Sequence, residues 1–194
     1  MVTAEQVLSQ LHAGNLRFLS GQSTCRNVMA EQRKAMLAGQ QPIAALLTCS
    51  DSRIAPEVIF DAGLGELFVV RVGGAVLDGA SLASLEFAVV ELSVPLILIV
   101  GHQHCGTVAL AASGAMPAGS IGTLTSGFAT PLAQMRASGQ TDENAAMIEI
   151  TERHVLQTAE TLPNRSFVIS DAVARGTCTS ARRCTGSTAG RWSC

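Results

Sequence analysis

Apolar residues recur along this chain with two different periods. Near the N-terminus, Val7, Leu8, Leu11 and Phe18 mark one face of a helix. Thr3 opens it, and Gln6 three positions on completes a capping box. A second helix fits Asn27 to Ala38, with Gly39 as its stop signal. The pattern then changes to short continuous apolar runs: "IAALLT" (Ile43 to Thr48), "ELFVVRV" (Glu66 to Val72) and "LILIVG" (Leu96 to Gly101). Strands covered on both faces read this way. Helical spacing returns in "SLASLEFAVVEL" (Ser81 to Leu92), apolar at Leu82, Leu85, Phe87, Ala88, Val89 and Leu92. "CGTVALAA" (Cys105 to Ala112) begins another helix. A Gly/Ser/Thr-rich stretch from Ser113 to Thr130 reads as loop with short helical pieces, and Asp142 to Leu162 as a long, more polar helix. In "SFVISDAVARG" (Ser166 to Gly176), "FVI" fits a strand, while the Ser cap and terminal Gly favour a helix.

Strands alternating with helices predict an α/β fold: a central, mostly parallel sheet flanked by helices. We assign residues 1–176 to one domain, with 1–39 as an N-terminal helical arm. Ligands of such sheets gather at the carboxyl ends of the strands. Cys49 follows the first strand, and His102 and Cys105 follow the third, so the chemistry-bearing residues converge on one rim.

Composition narrows the function classes. The chain has 194 residues, 47% hydrophobic and 14% charged, which fits a globular domain with a sizeable core. A net charge of −2 gives no general pull toward nucleic acid or an anionic membrane. The most apolar run, "VPLILIV", is too short to cross a bilayer. "MVTAEQVLSQL" lacks the basic region and long apolar core of a secretory leader, so the expected location is the cytoplasm. There, six cysteines read as reduced, metal-bound or reactive.

Two segments carry the chemistry. "CSDSR" places a thiol (Cys49), a carboxylate (Asp51) and a guanidinium (Arg53) at alternate positions, and "GHQHCG" supplies His102 and Cys105. Two thiols and one imidazole suit zinc, which takes four ligands in a tetrahedron. Three protein ligands leave an exchangeable position, the catalytic form, whereas a fourth permanent ligand makes a structural site. Asp51 is the one plausible fourth ligand in the motif, and Arg53 sits where it holds that carboxylate away. Each residue also has a plainer role: a packed cysteine, a solvated histidine, or an Asp51 cap on a helix starting near Pro56. Convergence of both segments on one rim favours the metal site.

From about Asn15 to Gly176 the chain resembles the β-class carbonic anhydrases. "CSDSR" and "GHQHCG" match that family's two zinc segments, and "FDAGLGELFVVRV" and "SLEFAV" match between them. The resemblance implies Zn²⁺ held by Cys49, His102 and Cys105, with Asp51 either a further ligand or the partner of Arg53. It implies that Gln40 in "AGQQP" hydrogen-bonds substrate. It also implies a dimer or tetramer whose N-terminal helices embrace the partner subunit. One departure is "RVGGA", where many members carry a polar residue in place of Ala75.

The expected activity is reversible hydration of CO₂ to bicarbonate and a proton. Zinc lowers the pKa of bound water from ~15.7 toward ~7, giving hydroxide at neutral pH. Asp51 would orient that hydroxide, Arg53 would keep Asp51 ionised, and the Gly106 N–H and Gln40 would stabilise charge on the substrate oxygens. Two readings compete: the same site acting on carbonyl sulfide or carbon disulfide, and a non-catalytic zinc-stabilised binding protein. The Asp51 and Arg53 pair argues against the second, because a structural site has no need of it. His104 is expected to line the site mouth, His12 and His154 to lie on the surface, and Cys25 to be structural or exposed.

After Gly176 the pattern stops. "TCTSARRCTGSTAGRWSC" has no Ile, Leu, Val, Met or Phe, yet holds three cysteines and three arginines. We expect no packed element from residues 177–194. We propose a one-base change of reading frame as the origin of this tail. With GC-rich codons chosen among synonyms, one C inserted after the Thr177 codon turns it into "TLHVGAALYGLDSGEVEL", a strand-and-hairpin ending of the family's type. Codons incompatible with that reading in the coding DNA would refute it.

Overall fold

The computed structural model describes residues 2–24, 33–34, 36–186 and 192–193, with the backbone alone at 180–185 and 192–193. Four parallel strands form the sheet: β1 (Ala44–Thr48), β2 (Leu67–Arg71), β3 (Leu96–His102) and β4 (Thr179–Gly186). A two-residue β5 (Trp192–Ser193) pairs antiparallel at the end, giving the order β2-β1-β3-β4-β5. The chain crosses from one side of β1 (β2) to the other (β3), so the strand order reverses there. The crevice above the carboxyl ends of β1 and β3 is where such a sheet places a site.

Alternating residues of β1 and β3 feed two cores, because successive strand side chains point to opposite faces. Ala45, Leu47, Ile97 and Ile99 pack with α3 (Gly79–Val90), α7 (Glu143–Arg165) and α8 (Phe167–Ala174). Ala44, Leu46, Leu96, Leu98 and Val100 pack with α1 (Ala4–Leu19) and α2 (Pro56–Ile59). Helix α1 carries the expected Thr3–Gln6 capping box, but it lies on its own sheet through Val7 and Leu11. There Gly14 backs so closely onto the Phe60 carbonyl that a Cβ would not fit. Of the second expected helix, residues 33–34 are helical and Met36–Ala38 form a 3-10 turn; positions 27–32 and 35 lie outside the described residues.

A third cluster sits under the rim: Cys49, Val76, Cys105, Val108, Phe128, Leu132 and Ile150. Helices α4 (Gly106–Ala112) and α6 (Ala129–Ser138) supply Val108 and Leu132 to it, and α5 (Gly122–Ser126) lies between them along the chain. "FVI" is helical: Ser166 caps α8 by accepting the Ile169 N–H, so the cap outweighs local β-propensity. The tail departs from expectation. Residues 179–186 run as a strand along β3, because Thr179 N–H to the Pro95 carbonyl and Gln103 N–H to the Gly186 carbonyl bracket the ladder. Backbone pairing needs no apolar side chain.

Candidate metal centre

Strand β1 ends at Thr48, whose hydroxyl donates to the Val100 carbonyl of β3, and Cys49 is the next residue. Its loop is held by Arg71, which lies opposite Thr48 in the β1–β2 register. Arg71 donates from Nε to the Cys49 carbonyl (3.2 Å) and from Nη2 to the Asp51 carbonyl (2.7 Å). His102 is the last residue of β3, and Cys105 is the N-cap of α4. The Sγ atoms of Cys49 and Cys105 are 3.8 Å apart. With the His102 imidazole, all three donor atoms lie within 4.8 Å of one another, and all three residues are buried.

His102 shows that this set fits a cation. Its Nδ1 lies 2.9 Å from the Gln103 carbonyl, and a carbonyl only accepts, so Nδ1 carries the proton. The lone pair is therefore on Nε2, which is buried without a hydrogen-bond partner among the described residues. A buried nitrogen normally finds a partner. Here it faces two sulfurs, a donor set suited to a thiophilic dication such as zinc.

The two thiols are unequal. The hydrogen bond from Cys105 pulls Cys49 well below the usual thiol range, against burial, with the Asp51 and Gly74 N–H groups adding to the pull. Those two N–H groups donate to Cys49 Sγ at 3.4 and 3.2 Å. The same bond, with burial, pushes Cys105 up. The pair thus prefers to hold one negative charge, a preference that suits binding of a cation.

Asp51 stands beside the donors. Its carboxylate takes two bonds from the Arg53 guanidinium, Nε to Oδ1 at 2.9 Å and Nη2 to Oδ2 at 2.6 Å, and one from the Arg53 N–H at 2.9 Å. Arg53 holds the carboxyl far below the ordinary carboxylate range. Oδ2 remains 4.0 Å from His102 Nε2. Arg53 Nη2 also donates to the His104 carbonyl (3.0 Å), so one guanidinium ties the two zinc-type segments together.

Other expected site residues are distributed differently. Gly106 opens α4 at the surface, with open space where a Cβ would stand. Gln40 is exposed and lines a separate open recess of ≈ 490 Å³ with Arg33, Met36, Leu64 and Gly65. None of the three donor residues lines that recess. His104 and His12 are exposed, and Cys25 lies outside the described residues. His154 is not on the surface: it is 5% exposed on α7, its ring 4.2 Å from that of Phe128. Helix α7 covers the back of the site, and position 154 falls on its buried face with Ile150, Thr151, Val155, Thr158 and Leu162. Arg71 and His154 were both missed from sequence.

Residues 44–185 match the family model described as carbonic anhydrase. The chain is 40% identical over 170 residues to carbonic anhydrase 2 of Mycobacterium tuberculosis, covering 86% of this chain and 80% of that one. It is 37% identical over 171 residues to a carbonic anhydrase of Mycolicibacterium smegmatis, covering 86% and 81%. Among solved structures, a tetrameric β-carbonic anhydrase of Sordaria macrospora superposes with a TM-score of 0.76 at 26% identity, covering 83% and 84%. The β-carbonic anhydrase CafA of Aspergillus fumigatus gives 0.76 at 26% identity, covering 96% and 89%.

Proposed function

Because the chain belongs to the β-class carbonic anhydrases, we propose that it catalyses the reversible hydration of CO₂ to bicarbonate and a proton at the Cys49, His102 and Cys105 site. The observation that carries this reading is the buried, unpartnered His102 Nε2 facing two thiols, beside a carboxylate already paired with arginine. Those three residues would hold zinc, which supplies the Lewis acidity that makes water a nucleophile near neutral pH. Asp51, fixed in its ionised form by Arg53, accepts a hydrogen bond from the attacking water and turns a lone pair toward the carbon of CO₂. The exposed Gly106 N–H stabilises the charge that grows on a substrate oxygen.

Gln40 enters differently. It lies in its own recess, away from the donors of its own chain. The relative from Sordaria macrospora is tetrameric. We propose that this chain also self-associates, and that Gln40 of one copy hydrogen-bonds substrate at the site of another. No described helix is long and apolar enough to cross a membrane, and we assign the protein to the cytoplasm.

The test is zinc content and CO₂ hydration measured together. A zinc-loaded chain should hydrate CO₂ and be inhibited by small anions. Asp51→Asn should keep its zinc and lose most of its rate. Mixed oligomers of Cys49→Ala and Gln40→Ala chains should regain activity that neither has alone. A soluble, zinc-loaded chain with no hydration activity would overturn the assignment.

A further inference from the structure

Behind the donor set, the turn at Gly73–Ala75 bends sharply. Gly74 has φ +69°, and Ala75, a non-glycine residue 1% exposed, has φ +56°. An alanine in that left-handed region is strained and persists when its surroundings over-determine it. The bend has a consequence at the metal site, since it aims the Gly74 N–H at Cys49 Sγ, 3.2 Å away. A Cβ at position 74 would press into the Phe128 ring at 2.8 Å, so glycine is what lets the backbone approach.

Helix α7 holds this segment from behind with two side chains eleven residues apart. His154 Nε2 lies 3.4 Å from the Ala75 carbonyl, and Arg165 Nη1 donates to the Leu77 carbonyl at 2.7 Å. Burial lowers the pKa of His154 against its backbone hydrogen bonds at Ala75, Gly127 and Gly74, so the ring is neutral. A carbonyl only accepts, so the proton facing Ala75 is on Nε2. The ring is wedged against Phe128, the same ring that crowds Gly74. A small cavity of ≈ 10 Å³, the space of one water, is lined by His154 and Thr151 together with Cys49, His102 and Cys105.

We propose that His154 is a positioning residue for the metal site: through the Ala75 carbonyl it keeps the Gly74 N–H on Cys49 Sγ, and so limits the electron density that this sulfur gives to a bound cation. The chain of contact is His154, Ala75, Gly74 and Cys49. It rests on Cys49 being a metal ligand, as proposed above. Without the N–H bond the sulfur is more electron-rich and the cation it ligates less acidic.

Cobalt(II) in place of zinc is the probe, because a cobalt–thiolate bond absorbs by charge transfer from sulfur to metal. The wild-type chain with cobalt should show that band. His154→Phe keeps a ring against Phe128 and loses the donor, and its band should move to lower energy. His154→Leu serves the same purpose should the larger ring fail to fold. His154→Gln, which retains an N–H donor, should restore the wild-type position. Leu162→Ala weakens the same helix eight residues from His154 and removes no hydrogen-bond donor, so it should lower thermal stability and leave the band in place. A band unmoved in folded, cobalt-loaded Phe or Leu variants overturns the positioning role. No thiolate band in the wild-type chain instead overturns the assignment of Cys49 as ligand, and the proposal with it.

Discussion

Strands β3 and β4 lie side by side in one sheet but are written in different languages. All seven residues of β3, "LILIVGH", are buried, and the strand ends in the metal-type donor His102. Its neighbour runs in parallel from Thr179 to Gly186, and its sequence, "TSARRCTG", sets arginines at 182 and 183 opposite Leu98 and Ile99. The register slips once, between Leu96 and Leu98. The lesson is a separation of tasks. Backbone hydrogen bonds suffice to place a strand, because they are the same for every residue. Stability comes mainly from buried apolar area, for which β4 has little material. Every donor at the site precedes residue 177, so chemistry and weakness sit on adjacent strands.

The sharpest way to break this comparison is at the chemical strand. Cys105→Ala removes one of the three donors, and we expect stoichiometric zinc binding and hydration activity to fall to background. The melting temperature of the metal-free chain should barely change. A large loss of metal-free stability would mean that the site region also carries the fold. The next largest effect belongs to the weak strand. Replacing residues 178–194 by "LHVGAALYGLDSGEVEL" restores several large apolar side chains, each worth ~1.5–3 kcal/mol when fully buried. For a chain of this size, ~1 kcal/mol moves the melting temperature by ~2–4 °C, so a rise of about 10 °C or more is expected in calorimetry, with zinc stoichiometry unchanged. A restored chain that melts no later would show that β4 is not the weak point.

Much of this arrangement was legible beforehand, for local reasons. The Thr3–Gln6 box is written in four residues. The apolar runs locate β1, β2 and β3 to within about a residue, because β1 and β3 are covered on both faces and the edge strand β2 is half-buried. Cys49, His102 and Cys105 were readable because strand ends of a parallel sheet share a rim. His154 was missed by attending to its polar neighbours, although it falls three and four positions from Ile150, Thr151 and Thr158 on the buried stripe of α7. Arg71 carried no motif; its role appears only when the β1–β2 register sets it opposite Thr48. Strand β4 had no apolar signal at all, since its place comes from backbone pairing with β3.

A smaller effect probes how tightly β3 itself is built. Gly101 lies against α7 so closely that a Cβ there would collide with Val155 and reach within 3.0 Å of Thr151. Gly101→Ala therefore overpacks the strand one residue before His102, at a cost of ~1–3 kcal/mol. Thermal melts should fall accordingly, and zinc affinity with them, because the strain reaches the next residue. An alanine accommodated at full stability and full zinc affinity would mean that β3 has slack, and would narrow its contrast with β4.

The smallest effect asks whether the N-terminal helix competes with β4 as the place where the sheet gives way. Asp61, only 5% exposed, accepts from the Arg17 side chain of α1 and from the Thr24 N–H at 2.9 Å, tying the arm to the core. Burial works to raise its carboxyl, but the bonds from Arg17 and Thr24 outweigh it and the net shift is downward. A lowered carboxyl stabilises the fold fully above the unfolded-chain value of ~3.9, and that contribution is lost as pH falls through the lower folded value. Asp61→Asn keeps the side-chain size and tolerates the φ of +45° at this position. It should cost about 1 kcal/mol at pH 7, since Arg17 remains partly exposed, and the gap between variant and wild type should close below about pH 4. A gap that persists undiminished at low pH would remove the ion pair as its cause. A cost several times larger would make the arm, and not β4, the first segment to leave the sheet.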